Sequence, residues 1–244
     1  MARPSLLPKS ISLKFQKEIF QKVALRNLLA TIGALTLTLL LLKLSSEHLA
    51  DQLPLGNYPK GAFGPPSLVM RGGDPYIRAL MRTITASEAN DPQPYTLLYG
   101  GKHVGDLSRH PDVCIPIVAG PNVGRCTTAA GRYQFLNTTW DKMAKRYHPK
   151  PFGLLFWKTY SFEPQYQDAV VYAWLSDKQA WGIDISQKLR QGKLKTVLRR
   201  LSGTWTSLGY GIENNSMTGA LPGIYQQMLQ EELGTAGRIE VGLK

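Results

Sequence analysis

Five acids fall in polar, turn-rich stretches of the kind that form clefts: Glu88, Asp91, Asp106, Asp112 and Glu213. Glu88 differs from the others in its spacing. It lies four residues after Ile84 and continues the stripe Ile77, Leu80, Met81, Ile84, which places its carboxylate on the apolar face of a helix. Partial burial and the negative helix end both disfavour the ionised form. A carboxyl held protonated near neutral pH at the mouth of a cleft is what a general acid requires. Glycoside cleavage ordinarily adds a second carboxyl, and Asp106 is the natural candidate, with His110 in the same loop as a relay partner. Spacing alone establishes neither, and the plain alternatives are a helix-end glutamate, a turn-stabilising aspartate and a loop histidine. Tyr95, Tyr99, Tyr133 and Tyr210 are candidates to line a sugar groove or to pack in the core.

The element that must present Glu88 is a helix from Asp74, a good N-cap followed by Pro75, to the stop at Asn90-Asp91-Pro92. The β-prone run Tyr95–Tyr99 before Gly100-Gly101 reads as a hairpin or lip. Helices follow behind an Asn137/Thr138 cap, from Ser161 to Gly182, from Asp184 to Gln191 and from Lys193 to Leu201. A glycine-flanked loop at 207–211 precedes a closing helix around Ile224, Tyr225, Met228, Leu229 and Leu233, and the tail 234–244 reads as mobile. The sum is an α+β domain, mostly helical with a small hairpin, over 74–233.

The net charge of +12 is uneven, with seven Lys/Arg against two Glu in residues 1–50. Residues 1–26 form a basic leader, 27–44 an apolar segment near the shortest length that spans a bilayer, and 45–73 a Pro/Gly-rich linker. This predicts one retained transmembrane helix, with a cleaved secretory signal as the alternative. Basic residues ahead of the span put the N-terminus in the cytoplasm and the domain outside. The basic surplus suits an anionic partner, acidic lipid or an acidic wall polymer, with nucleic acid on the wrong side, and solubility alone would also explain it. Cys114 and Cys126 are the sole cysteines. On an exported side they form a disulfide or stand as two structural thiols, and exported pairs usually oxidise. No zinc spacing, P-loop or dinucleotide fingerprint appears, so neither metal nor cofactor is expected. No feature speaks to oligomeric state.

Taken together, Ser87-Glu88, Pro94–Gly101, Asp106–Pro111, Ala130–Leu136, Gln167–Val170 and Trp205–Gly211 occur in the order and spacing of the phage lambda endolysin family, which this chain resembles over most of residues 74–230. The resemblance implies a lysozyme-like fold and lytic transglycosylase action on peptidoglycan glycan strands with one glutamate, Glu88. It places Gln134 and Tyr210 near the substrate, with Tyr99, Asp106 and Tyr133 as further binding candidates. Gly131 and Arg132 read as a tight turn fixing the lip. Two departures stand out. The family carries an acid where this chain has Thr96, and it lacks the basic leader and apolar segment. The rival readings are a hydrolytic muramidase pairing Glu88 with Asp106, and an inactive glycan-binding protein.

Overall fold

The computed structural model describes residues 64–153, 159–210 and 216–241. All described residues belong to one compact unit, Leu55–Lys244. The leader, the 27–44 segment and the linker up to residue 63 lie outside them, as do Glu213 and residues 242–244 of the tail. Among the described residues no helix is long and apolar enough to cross a membrane.

Helices α1 (Pro75–Glu88), α2 (Asn137–Tyr147), α3 (Pro164–Ser176), α4 (Lys178–Trp181), α5 (Ile185–Arg190), α6 (Leu194–Leu201) and α7 (Leu221–Val241) carry the domain. Strands β1 (Ile115–Pro116) and β2 (Cys126–Thr127) form one short antiparallel pair. Helix α1 starts as its sequence dictates: the Asp74 carboxylate accepts from the Tyr76 N–H at 2.9 Å, and Pro75 occupies the first turn. Its stripe Ile77, Leu80, Met81 and Ile84 is at most 1% exposed. Burying each such side chain stabilises by roughly 1.5–3 kcal/mol.

The opposite face of α1 does not meet water, because Arg82, Thr83 and Thr85 are buried too. The threonine hydroxyls donate to the Ala79 and Met81 carbonyls one turn back. Arg82 pairs with Glu231 and Glu232 of α7 at 2.6 and 3.3 Å, and Arg78 pairs with Glu232 at 2.5 Å. Those pairs pin the C-terminal helix to α1. The helix runs on past the expected boundary at Gly234 to Val241.

Three other expectations change. Pro94–Thr96 is a 3-10 turn rather than a strand, and the β-pair instead closes the cysteine-containing loop, where Ile115 faces Thr127 and Pro116 faces Cys126. Only isolated bridges remain near Tyr95–Tyr99, from Leu97 to His103 and from Leu98 to Ala130. The single helix from Ser161 to Gly182 is two, α3 and α4, because the Asp177 carboxylate accepts from the Gln179 and Ala180 N–H groups and starts a new helix. The last part of the expected linker is packed rather than loose: Pro65 and Leu68 are buried. Arg132 donates to the Pro66 and Ser67 carbonyls.

Candidate active site

The turn from Gly131 to Gln134 is the local structure on which the site depends. Ala130 and Phe135 exchange both backbone hydrogen bonds, at 3.0 and 2.9 Å, so the four residues between them reverse the chain. Gly131 has φ +74°, and a Cβ there would stand 2.4 Å from Gln167 Oε1 and 2.7 Å from the Phe162 ring. No other residue fits. Gln134 is also left-handed, at φ 45°, an uncommon conformation for a side chain of this kind.

Inward, the turn sends Arg132 and Tyr133 into a buried polar network. The Tyr133 hydroxyl donates to Asp168 Oδ1 at 2.7 Å, and Asp168 Oδ2 accepts from the Tyr95 hydroxyl at 2.9 Å and from the Val69 and Met70 N–H groups. Arg132, fully buried, donates to Tyr95 at 3.0 Å and to Thr85 Oγ1 of α1 at 2.8 Å. Burial in this network, with the Asp168 charge alongside, pushes both the Tyr95 and Tyr133 phenols well above their ordinary value. Each charge in the network is satisfied, which is the condition for holding charge in a core.

Outward, the same turn faces a cleft of about 1110 Å³. Glu88, at the C-terminal end of α1, lines it together with Tyr99 and Gln134. The Ser207 hydroxyl donates to Glu88 Oε1 and lies 3.0 Å from Ser87 Oγ. Gln134 Nε2 donates to the Gly131 and Leu97 carbonyls at 3.0 and 3.3 Å, which fixes the amide at the cleft edge. The indoles of Trp174 and Trp205 pack 5.4 Å apart beside it, and Trp205 Nε1 donates to the Tyr133 carbonyl at 3.1 Å. The loop between β1 and β2 contributes Ile117 and residues 119–122, and a disulfide joins Cys114 to Cys126 at its base.

Two predicted site residues, Asp106 and Tyr210, do not line the cleft, and a third, Tyr133, turns its side chain into the core. Asp106 is exposed, does not line the cleft, and accepts from the Ser108 N–H at 2.9 Å in a turn of its own. That hydrogen bond holds its carboxyl below the usual range. Tyr133 borders the cleft, but its side chain is fully buried on Asp168. Tyr210 is 44% exposed, lies under the Arg199 guanidinium at 5.3 Å and is not among the cleft-lining residues. Two residues that sequence reasoning left unassigned join the site instead, Ser207 beside Glu88 and Lys142 on α2. Lys142 had a readable signal, since Thr138, Thr139 and Met143 share its helical flank.

A carboxyl at a helix end, in a cleft lined by hydroxyl, amide and aromatic groups, is an arrangement suited to cleaving a glycosidic bond. The chain belongs to the Endolysin family, whose model matches residues 78–231, and is a peptidoglycan-cleaving glycosidase. No curated protein matches it. Among solved structures, bacteriophage lambda lysozyme complexed with a chitohexasaccharide is similar at 25% identity and TM-score 0.49, over 65% of this chain and 97% of that one. A second structure of lysozyme from bacteriophage lambda is similar at 23% identity and TM-score 0.47, over 67% and 97%.

Proposed function

We propose that this chain is a lytic transglycosylase that cuts the bond between N-acetylmuramic acid and N-acetylglucosamine with Glu88 as its one acid and base. The Glu88 carboxyl gives its proton to the glycosidic oxygen as the C1–O4 bond breaks. As carboxylate it then takes the proton of the muramic acid C6 hydroxyl, whose oxygen bonds to C1. The product carries a 1,6-anhydro ring, and no water is consumed. An intramolecular nucleophile has high effective molarity, so a second enzyme carboxylate is unnecessary. Gln134 and Tyr99 position the sugar.

The observation that supports this is that Glu88 is the one carboxylate among the described residues lining the cleft. A muramidase would draw on Asp106, which is occupied in its own turn. The test is mass spectrometry of the muropeptides released from purified walls. Fragments should weigh one water less than hydrolysed ones, resist borohydride, and fail to form when the muramic acid C6 hydroxyl is O-acetylated. Fragments that borohydride reduces quantitatively would establish the hydrolase. Glu88→Gln should fold and lose at least about a hundredfold in turnover, since an amide has no proton to deliver.

The same reading includes a retained anchor at 27–44 with the domain outside the membrane. The Cys114–Cys126 disulfide supports an oxidising compartment. Protease added to intact spheroplasts should digest the domain, and its protection would reverse the orientation.

A further inference from the structure

Of the described residues that line the cleft, two carry charge, Glu88 and Lys142. The rest are hydroxyl, amide, aromatic, aliphatic or glycine, a lining suited to neutral N-acetylated sugars. Lys142 reaches the cleft because of the phase of α2: Trp140, Met143 and Ala144 turn into the core, and Thr138, Thr139 and Lys142 flank that stripe. It forms no ion pair among the described residues, whereas Arg146 on the same helix is held by Asp177 at 2.6 Å. Its ammonium is therefore available to a ligand.

The sugars of stem-bearing peptidoglycan carry no free anion, because the muramic acid lactyl carboxyl is tied up in the amide that joins the stem. The polymer's carboxylates are on the peptide stems that hang from the muramic acid lactyl group. We infer that Lys142 is a specificity-determining residue that binds a carboxylate of the peptide stem, so that the cleft selects stem-bearing strands over naked glycan. This rests on reading the cleft as a peptidoglycan-cleaving site. An exposed ammonium paired with a flexible carboxylate contributes modestly, so the expected change is about two- to fivefold in affinity at low salt, shrinking as salt rises.

The test uses the full chain in detergent and two insoluble ligands, wall glycan with its peptide stems and chitin, a neutral N-acetylglucosamine polymer without the lactyl carboxylates that an amidase would expose. Binding is measured by co-sedimentation with Glu88→Gln as the parent, and turnover of the wall glycan with the wild type. Adding Lys142→Ala should weaken binding to stem-bearing strands about two- to fivefold, Lys142→Glu should weaken it further, and Lys142→Arg should restore it. None should alter binding to chitin. Equal loss on both ligands, or loss on neither, overturns the role of Lys142 while wild-type cleavage of the wall glycan still upholds the glycosidase. A wild type that does not cleave the wall glycan overturns both.

Discussion

A carboxyl that must release and then recover a proton has to be held in a defined rotamer, and the Ser207 hydroxyl contributes to this by donating to Glu88 Oε1. Losing that contact frees the carboxyl to leave the geometry the two proton transfers need, so Ser207→Ala should lower kcat by roughly tenfold or more with KM nearly unchanged, and Ser207→Thr should recover most of the loss. A fall in Tm with kcat unchanged would make Ser207 a packing residue only. At this scale the sequence is informative where the chemistry is local. Glu88 follows from the spacing of one stripe, whereas Ser207 is separated from it by 119 residues, and no pattern in either segment announces the contact. The hydrogen bond that holds the Tyr133 hydroxyl is equally long-range. Whether a tyrosine lines a groove or a core depends on what lies behind it, here Asp168, 35 residues on.

Among the elements, the loop between β1 and β2 has the least internal support. Its ladder is two residues long on each side, and Val118 and Val123 are 81% and 60% exposed. The Cys114–Cys126 disulfide closes it across 12 positions. In the chain-entropy model a loop of that size is worth up to roughly 3 kcal/mol. Reduction, or Cys114→Ser with Cys126→Ser, should lower Tm by at most about 10 °C. Because Ile117 and Asn122 line the cleft, KM for wall fragments should rise several-fold with it. Scanning fluorimetry and turbidity clearance with and without reductant measure both, and an unchanged KM would show that the loop is held by its other contacts. Long helices were legible here because their periodicity is a property of the segment itself, as in α1 and α2. The β-pair was not, because two-residue strands carry no alternation, and Tyr95–Tyr99 is β-prone in composition while Pro94 starts a 3-10 turn. The Asp177 break was visible in principle as an N-cap residue, but the apolar pattern ran through it.

Across the whole molecule, two His-Pro turns clasp the same aromatic layer. His110 meets Phe162 edge-on at 4.8 Å, His148 meets Trp140 at 6.3 Å, and Trp140 and Phe162 pack at 4.7 Å. Both rings use both nitrogens in the same way. Nε2 faces a backbone carbonyl, of Phe135 at 2.8 Å or Ser161 at 3.1 Å, and Nδ1 accepts the N–H two residues on, of Asp112 or Lys150 at 3.1 Å. That arrangement suits the neutral ring with its proton on Nε2. A second proton on Nδ1 would oppose the N–H already there. Burial lowers the pKa of both rings below the ordinary 6.5, although Asp112 and Asp141 pull His110 the other way. Between 6.5 and the folded values the unfolded chain therefore binds more protons, so stability is fully present above pH 6.5 and falls as pH drops through that window. The lowered carboxylates Asp106, Asp177 and Asp184 act in the same direction, but only below their ordinary 3.8. Tm should accordingly fall by a few degrees, on the order of 2–4 °C per kcal/mol lost, between pH 7.5 and 5. The double variant His110→Gln/His148→Gln does not titrate there and keeps a donor and an acceptor, so it should show a flat Tm across that range. A wild-type Tm that is level or rises toward pH 5, or an equally steep fall in the double variant, would mean that the two turns do not set the acid limit of this fold.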